Sequence, residues 1–415
     1  MERTNRGAEW RHGWPLVLAA MVGIGFGPGL FQNLSSLFTI PMIASFGWSR
    51  GEIATAAALG LLGGLVAPFV GRLADRFGIR PVIIACMALL ALAYVGFAAM
   101  NGRLIEYQLL VVALACSVPG TSSVVYGKLI TSCFVQHRGL ALGFATSGLS
   151  LTTLTLPPLV AATISAAGWR GGFVLMAALT ALLALPLVLL LIRRVPSTPT
   201  RPAPGDVAAT HAVPGVTGKE ARRDGRFWRL GLAVAAINLG AVGLVTSLVP
   251  FGTDRGLSNG EAALLLTAFG ASQVAGRFAI GLLVDRYRPQ VMAAAVALVS
   301  ALGFAGLWAM DAAPFHLALA LVFAAGLMNG AEHDLLPFFV ARLFGLRAYG
   351  EVYGSILPLA LAGNAAGIVA FGRLYDATGN YAAALALATA ALVFAAVAFL
   401  SLGDRDLPAA RAAAA

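Results

Sequence analysis

Gly276-Arg277-Phe278-Ala279-Ile280-Gly281-Leu282-Leu283-Val284-Asp285-Arg286-Tyr287-Arg288-Pro289 decides how this chain is read. Arg277 stands inside an apolar helical run, and the run ends eight residues later in the charged pair Asp285-Arg286. An arginine at membrane depth is costly and requires a partner. The closing pair has an echo 210 positions earlier, where Gly71, Asp75 and Arg76 match Gly281, Asp285 and Arg286. One stretch therefore points both to a site and to an internal repeat.

The composition sets the environment. The chain has 415 residues, 59% hydrophobic and 11% charged, with a mean hydropathy of +0.85. Soluble domains are about 25% charged, so most of this surface does not face water. A bilayer span takes roughly 20 apolar residues. Such runs lie at about 14–37, 51–72, 81–100, 106–133, 140–165, 171–192, 228–251, 261–284, 290–309, 316–341, 351–373 and 381–401. The runs are continuous and do not alternate, which excludes a membrane β-barrel. The reading is an all-α membrane protein of 12 transmembrane helices. Its first run is retained as a span, being longer than a signal peptide's apolar region and lacking a cleavage site.

Net charge is +10, and nearly all the cations are arginine. In a soluble chain this would suggest nucleic acid. With both termini in the cytoplasm, most of the Lys and Arg fall on the inner side, which is the positive-inside pattern. No nucleic-acid partner is expected. The arginine bias points to a bacterial source, hence the inner membrane. Cys86, Cys116 and Cys133 form no Cys-x-x-Cys and read as small core residues. No metal cluster, nucleotide loop or nucleophile–base set is evident, so neither cofactor nor enzyme activity is expected. Gly23, Gly25, Gly27 and Gly29 follow no strand, and they read as helix packing with Pro28 as a kink.

The organisation is a 1–192 bundle, a 193–227 linker rich in proline and arginine, and a 228–415 bundle with a short tail. The repeat recurs at Phe134/Phe344, offset 210, at Ser49-x-x-Glu52/Ser258-x-x-Glu261, offset 209, and at Gly168/Gly379, offset 211. The offset is six spans, an even number, so the two halves share one orientation. Each Ser-x-x-Glu reads as a capping box at an outer helix start.

Gly71-x-x-x-Asp75-Arg76-x-Gly78-x-Arg80 resembles the loop signature of the major facilitator superfamily, with Ile79 at a position where a basic residue is common. That superfamily is a standing example of parallel repeats. Phe46-Gly47-Trp48-Ser49-Arg50, Phe134-x-x-x-Arg138-Gly139, Gly168-Trp169-Arg170 and Gly276-Arg277 resemble its branch of oxalate/formate antiporters and monocarboxylate carriers. The resemblance implies two six-helix bundles working by alternating access, a small organic anion as substrate, protons as partner and the bilayer as environment. A monomer is expected. It also implies an inner gate formed by Asp75, Arg76, Arg80, Asp285 and Arg286. On residue chemistry alone, these charges are equally readable as helix-end topology signals.

Arg277 lies about 12 Å from the inner helix end. It stays charged and offers a planar fork that fits a carboxylate. The resemblance makes it the substrate arginine; the structural alternative is a permanently neutralised strut. Its candidate partners are Glu332 and Asp334 of the next-but-one span, eight to ten residues above Arg342. Residues two apart on a helix diverge by about 200°, so these two acids face different ways. One is expected to face Arg277 or the cavity and to carry the coupling proton, the other to bond a neighbouring helix. His333 reads as packing or bonding locally.

By resemblance, animal monocarboxylate carriers hold an aspartate and a lysine where this chain has Gln273 and Gln32, and oxalate carriers hold a second cation near Asn364. Those positions, with Asn238 and Tyr126, complete the expected substrate-binding set. Packing is the alternative for Tyr126, and helix-to-helix hydrogen bonding for Asn238 and Asn364. Lys128 reads as snorkelling to the inner surface. The expected activity is uptake of a small organic monocarboxylate by proton symport. A drug/proton antiporter or another organic-anion exchanger of the same fold is the alternative, and Leu156-Pro157-Pro158-Leu159 departs from the drug-antiporter motif. A non-transporting sensor is a further reading, with no appended soluble domain to support it.

Overall fold

A computed structural model describes residues 6–63, 66, 69–70, 73, 76–134, 138–192, 215–284, 286–310, 314–345 and 347–403. Asp75 and Asp285, two of the expected gate residues, lie outside the described residues, as does most of the 193–227 linker. The chain forms two compact units, 1–200 with 245–270, and 201–244 with 271–415.

The first unit holds α1 (Arg6–Gly25), α2 (Pro28–Leu34), α3 (Ser36–Phe46), α4 (Arg50–Ala58), α5 (Ile79–Ala99), α6 (Leu104–Ser117), α7 (Ser123–Cys133), α8 (Arg138–Thr155), α9 (Pro157–Ala178) and α10 (Leu185–Ile192). The remaining helices are α11 (Gly218–Arg223), α12 (Gly225–Asp254), α13 (Asn259–Leu283), α14 (Pro289–Ala309), α15 (Phe315–Phe344), α16 (Tyr349–Thr378) and α17 (Ala382–Leu400). Among the described residues, eight helical segments are long and apolar enough to cross a membrane, and four shorter apolar helices accompany them.

The shorter helices have a physical cause. The first expected span breaks between α1 and α2, where Pro28 has no N–H to continue the ladder. A freed carbonyl in a membrane needs a donor; the Thr152 hydroxyl of α8 donates to Gly25 O at 3.0 Å. Pro119 similarly interrupts the run between α6 and α7, and Pro157 opens α9. Within α9, Gly168 (φ 72°) turns the chain, so the expected spans 140–165 and 171–192 meet at a residue that only glycine adopts easily. Gly379 (φ 73°) closes α16 at the repeat-related position.

Both Ser-x-x-Glu capping boxes are present. Glu52 N donates to Ser49 Oγ at 3.1 Å and Ser49 N to Glu52 Oε2 at 2.8 Å. Glu261 N donates to Ser258 Oγ at 3.3 Å and Ser258 N to Glu261 Oε2 at 2.9 Å. A third box, Thr217 with Glu220, starts α11. The end of the linker stretch is therefore structured. Arg222 of α11 donates to Glu351 of α16 at 2.8 Å. Next to it, burial pushes the Asp224 carboxyl up, but hydrogen bonds from Arg226 and its charge outweigh this and hold it below the usual carboxylate range.

The aromatic motifs of the first unit serve packing at one end of its helices. Phe46 meets Trp48 at 4.8 Å and Trp169 at 5.3 Å between ring centroids, and the Trp169 indole donates to Ser45 Oγ at 2.9 Å. Arg170 lies over the Trp169 ring at 4.2 Å.

Elsewhere the helices meet through glycine. A Cβ on Gly148 would fall on the Met21 carbonyl, joining α1 to α8; one on Gly363 or Gly367 would strike α12 at Ala235 or Leu239. A Cβ on Gly276 would strike the Leu327 carbonyl, and one on Gly330 the Gln273 backbone, so α13 and α15 run backbone to backbone. Gly330→Val is expected to destabilise the protein by about 1–3 kcal/mol through forced separation of this pair. Gly350→Ala, which meets open space, is expected to stay within about 0.5 kcal/mol. Thermal midpoints of the detergent-solubilised protein check this; equal midpoints for the two variants contradict the close contact.

Candidate functional site

The α13–α15 contact brings ionisable side chains to one level inside the second unit. Arg277 follows Gly276 directly, and Glu332, His333 and Asp334 follow Gly330 within a turn. The charges of Asp334 and Glu332 both act on the Arg277 guanidinium, that of Asp334 more strongly. The two acids differ in surroundings. Glu332 is 6% exposed and buried beside the Asn238 side chain of α12, whereas Asp334 is half-buried. Tyr353 of α16 also lies within the field of Glu332, and its ring stacks on Tyr349 at 5.9 Å.

His333 is bonded to its own helix: Nδ1 lies 2.8 Å from Asn329 O and 3.8 Å from Glu332 Oε2. A carbonyl oxygen only accepts, so Nδ1 carries the proton in that bond and Nε2 remains an acceptor. The histidine side chain is 44% exposed although its neighbour Glu332 is buried.

The neutral candidates separate in position. Gln273 donates its amide to Asn329 Oδ1 at 2.7 Å, a buried bond between α13 and α15 directly below the glycine contact. Asn238 donates to Val234 O at 2.9 Å and presents its side chain to Glu332. The Asn364 Oδ1 and the Tyr126 hydroxyl are buried without a hydrogen-bond partner. Tyr126 packs in the first unit's core with Leu16, Ile83 and Ile130, and its hydroxyl occupies the space a side chain on Gly23 would need. Gln32 is half-buried, and its neighbour Asn33 donates to Thr153 Oγ1 at 2.6 Å. Arg76 and Arg286 are exposed and Arg80 is half-buried. Thus Arg277, Glu332, Asp334, Asn238 and Gln273 lie on adjoining helices of one unit, while Tyr126 and Gln32 belong to the other.

The local bonding expected of His333 is present. Sequence reasoning missed two features. Asn329 bonds both Gln273 and His333 and had no local signal except its place in an apolar span. The other is an ion pair in the first unit: Arg50 grips Asp254 through two parallel bonds of 2.6 and 2.7 Å, tying the start of α4 to the end of α12. Both side chains are largely shielded, 11% and 30% exposed.

Helices of bilayer length, packed through glycine around a charged cluster, mark a polytopic membrane protein. Residues 16–367 match the Major Facilitator Superfamily, and the chain belongs to that family. Its all-α fold is the family's 12-helix, two-bundle arrangement. It is 28% identical to monocarboxylate transporter 11 of Homo sapiens over 95% of this chain and 84% of that protein. It is 29% identical to monocarboxylate transporter 3 of Rattus norvegicus over 93% and 78%. Among solved structures, a bacterial homolog of the human lysosomal transporter Spinster superposes with a TM-score of 0.73 at 17% identity, covering 93% of this chain and 96% of that one. The D-xylose–proton symporter gives 0.72 at 17%, covering 94% and 97%. The protein is accordingly a multi-pass membrane transporter.

The Arg50–Asp254 pair is expected to behave as one unit. Arg50→Ala and Asp254→Ala should each lower the thermal midpoint, and the double variant should fall no further than the worse single, a coupling of about 1 kcal/mol or more. Additive losses would show that the pair contributes nothing as a pair.

Proposed function

We propose that the protein takes up a small organic monocarboxylate by alternating access, coupled to protons in symport. The observation that carries this reading is Arg277 placed among Glu332, Asp334 and Asn238 at membrane depth. The names of its relatives, monocarboxylate transporters, support the substrate class. Arg277 supplies the fork for the carboxylate. Gln273 holds the arginine's helix in register, and Asn238 and Asn364 line the same unit. Tyr126 and Gln32 are proposed as the contribution of the 1–192 bundle, and Asp75, Arg76, Arg80, Asp285 and Arg286 as the inner gate. The 193–227 linker joins that bundle to 228–415, in a monomer of the bacterial inner membrane with both termini in the cytoplasm.

Charge arithmetic favours symport. With both acids ionised, Arg277, Glu332 and Asp334 sum to −1, and a further anion would be repelled. One proton brings the cluster to zero, and the anion then binds without net repulsion. At an effective dielectric of about 20, each unit charge at 4 Å is worth about 4 kcal/mol, enough to order the two events. Proton loading therefore precedes substrate on the acidic side, and release of the proton expels the anion on the alkaline side.

In proteoliposomes given radiolabelled pyruvate, lactate or acetate, an acidic exterior is expected to drive uptake by the wild type. Arg277→Ala is expected to reduce it about 10- to 100-fold, the loss of charged hydrogen bonds worth about 1.5–3 kcal/mol. Arg277→Lys should recover only part, because an ammonium lacks the fork. Undiminished uptake by Arg277→Ala removes it as the anion site.

Glu332→Gln, fixed in a neutral form, is expected to exchange internal for external substrate yet lose accumulation along a pH gradient. Retention of gradient-driven accumulation in both Glu332→Gln and Asp334→Asn would end the proposal that either acid carries the proton.

A further inference from the structure

We propose that His333 is the proton-relay residue through which the buried Glu332 carboxylate exchanges its proton with water. This rests on the proton-coupled reading above and adds the path by which the carrier group is loaded.

The problem is one of access. A carboxylate that is 6% exposed does not meet bulk water, yet a coupling group must gain and lose a proton in every cycle. Its surroundings offer few routes. From α13 it is faced by Arg277, which cannot give up a proton at any relevant pH. From α12 it is faced by Asn238, which does not titrate. From α16 it is faced by Tyr353, a phenol backed by Tyr349. On its own helix, Asp334 stands two residues away, turned by about 200°.

Among the described side chains around Glu332, His333 is the exposed one. Its side chain is 44% exposed, and its Nδ1 is 3.8 Å from Glu332 Oε2. Successive residues on a helix diverge by about 100°, so this approach needs a cause. The cause is the 2.8 Å bond from Nδ1 to Asn329 O one turn earlier, which draws the ring back along the helix. Asn329 is itself fixed by Gln273, so the imidazole is held by the same contact that sets Arg277.

Water delivers a proton to Nε2, and the ring becomes an imidazolium with protons on both nitrogens. The ring turns from Asn329 O toward Glu332, and the Nδ1–H bond breaks as the O–H bond forms on Glu332 Oε2, leaving a neutral ring protonated on Nε2. Further rotation brings Nδ1 to water, where it takes up a proton as Nε2 releases one, and the ring turns back to donate Nδ1–H to Asn329 O. The net change is one proton moved from water to carboxylate, and unloading is the reverse. Histidine is suited to this because small changes of surroundings move it between its two forms.

The test separates proton transfer from substrate movement. Equilibrium exchange of radiolabelled pyruvate, lactate or acetate needs no net proton movement, whereas gradient-driven net uptake does. In proteoliposomes, His333→Ala and His333→Gln are expected to lower the ratio of net uptake to exchange by about tenfold or more. Added imidazole should restore the ratio in His333→Ala, where a space is left, and not in Glu332→Gln. An unchanged ratio in both His333 variants overturns the relay. So does a parallel loss of exchange and net uptake without imidazole rescue, which would mark His333 as a structural or substrate-contacting residue. If the wild type moves none of these acids along a pH gradient, the proposed function fails and the relay with it; failure confined to the His333 variants leaves the proposed function standing.

Discussion

The site depends on the absence of two side chains. Gly276 and Gly330 let α13 and α15 touch backbone to backbone, and that contact sets Arg277 at the level of Glu332 and Asp334. A larger residue at either position would push the helices apart and leave a guanidinium and two carboxylates in a medium that cannot solvate them. At membrane depth an arginine costs several kcal/mol when it stands alone. The helix packing is thus a condition for the charges, and the charges explain why the packing must be so close. Gln273 and Asn329 add a buried amide bond to the same seam.

The two halves share a repeat but use it differently. The first unit carries backbone irregularity, with breaks at Pro28, Pro119 and Pro157 whose freed groups are met by hydroxyls such as Thr152. The corresponding helices of the second half run unbroken for 25 to 30 residues through α12, α13, α15 and α16, and Arg277, Glu332 and Asp334 stand on two of these. The division is physically reasonable. Irregular backbone satisfies itself with nearby neutral donors, whereas an ion cluster needs rigid supports that keep opposite charges at fixed separation.

Much of this was legible from local pattern. The capping boxes at Ser49 and Ser258 are three-residue signatures, and the apolar runs needed only counting. The repeat showed as a constant offset, and the depth of Arg277 followed from helical rise. The features that escaped depend on partners far apart in the chain. Gln273 and Asn329 are separated by 56 positions, and Arg50 and Asp254 by 204. No periodicity reports such pairs. Helical pitch turns Glu332 and Asp334 apart, but which one lies buried by Asn238 depends on the rotation of α15 against its neighbours. Thr217-x-x-Glu220 obeys the same capping rule as the serine pairs, although it follows a proline-rich stretch that reads as linker.

Under the proposed function, Arg277 is strut and site together, provided that the two acids have separate tasks. Asp334 acts on the arginine more strongly and is half-buried; Glu332 acts more weakly and is enclosed with Asn238. If Glu332 takes the proton, Asp334 remains as counter-ion, and the guanidinium is never left bare in the membrane. A guanidinium has five donors in a planar fork, more than one carboxylate uses, so it can keep Asp334 and still accept the carboxylate of a substrate. What changes between the loaded and empty states is then the net charge of the cluster, not the presence of a partner for Arg277. A single acid could not do both. It would have to release the arginine at the moment it took the proton, and the cycle would pass through an isolated buried charge. The pair of acids two residues apart, facing different ways on one helix, removes that step.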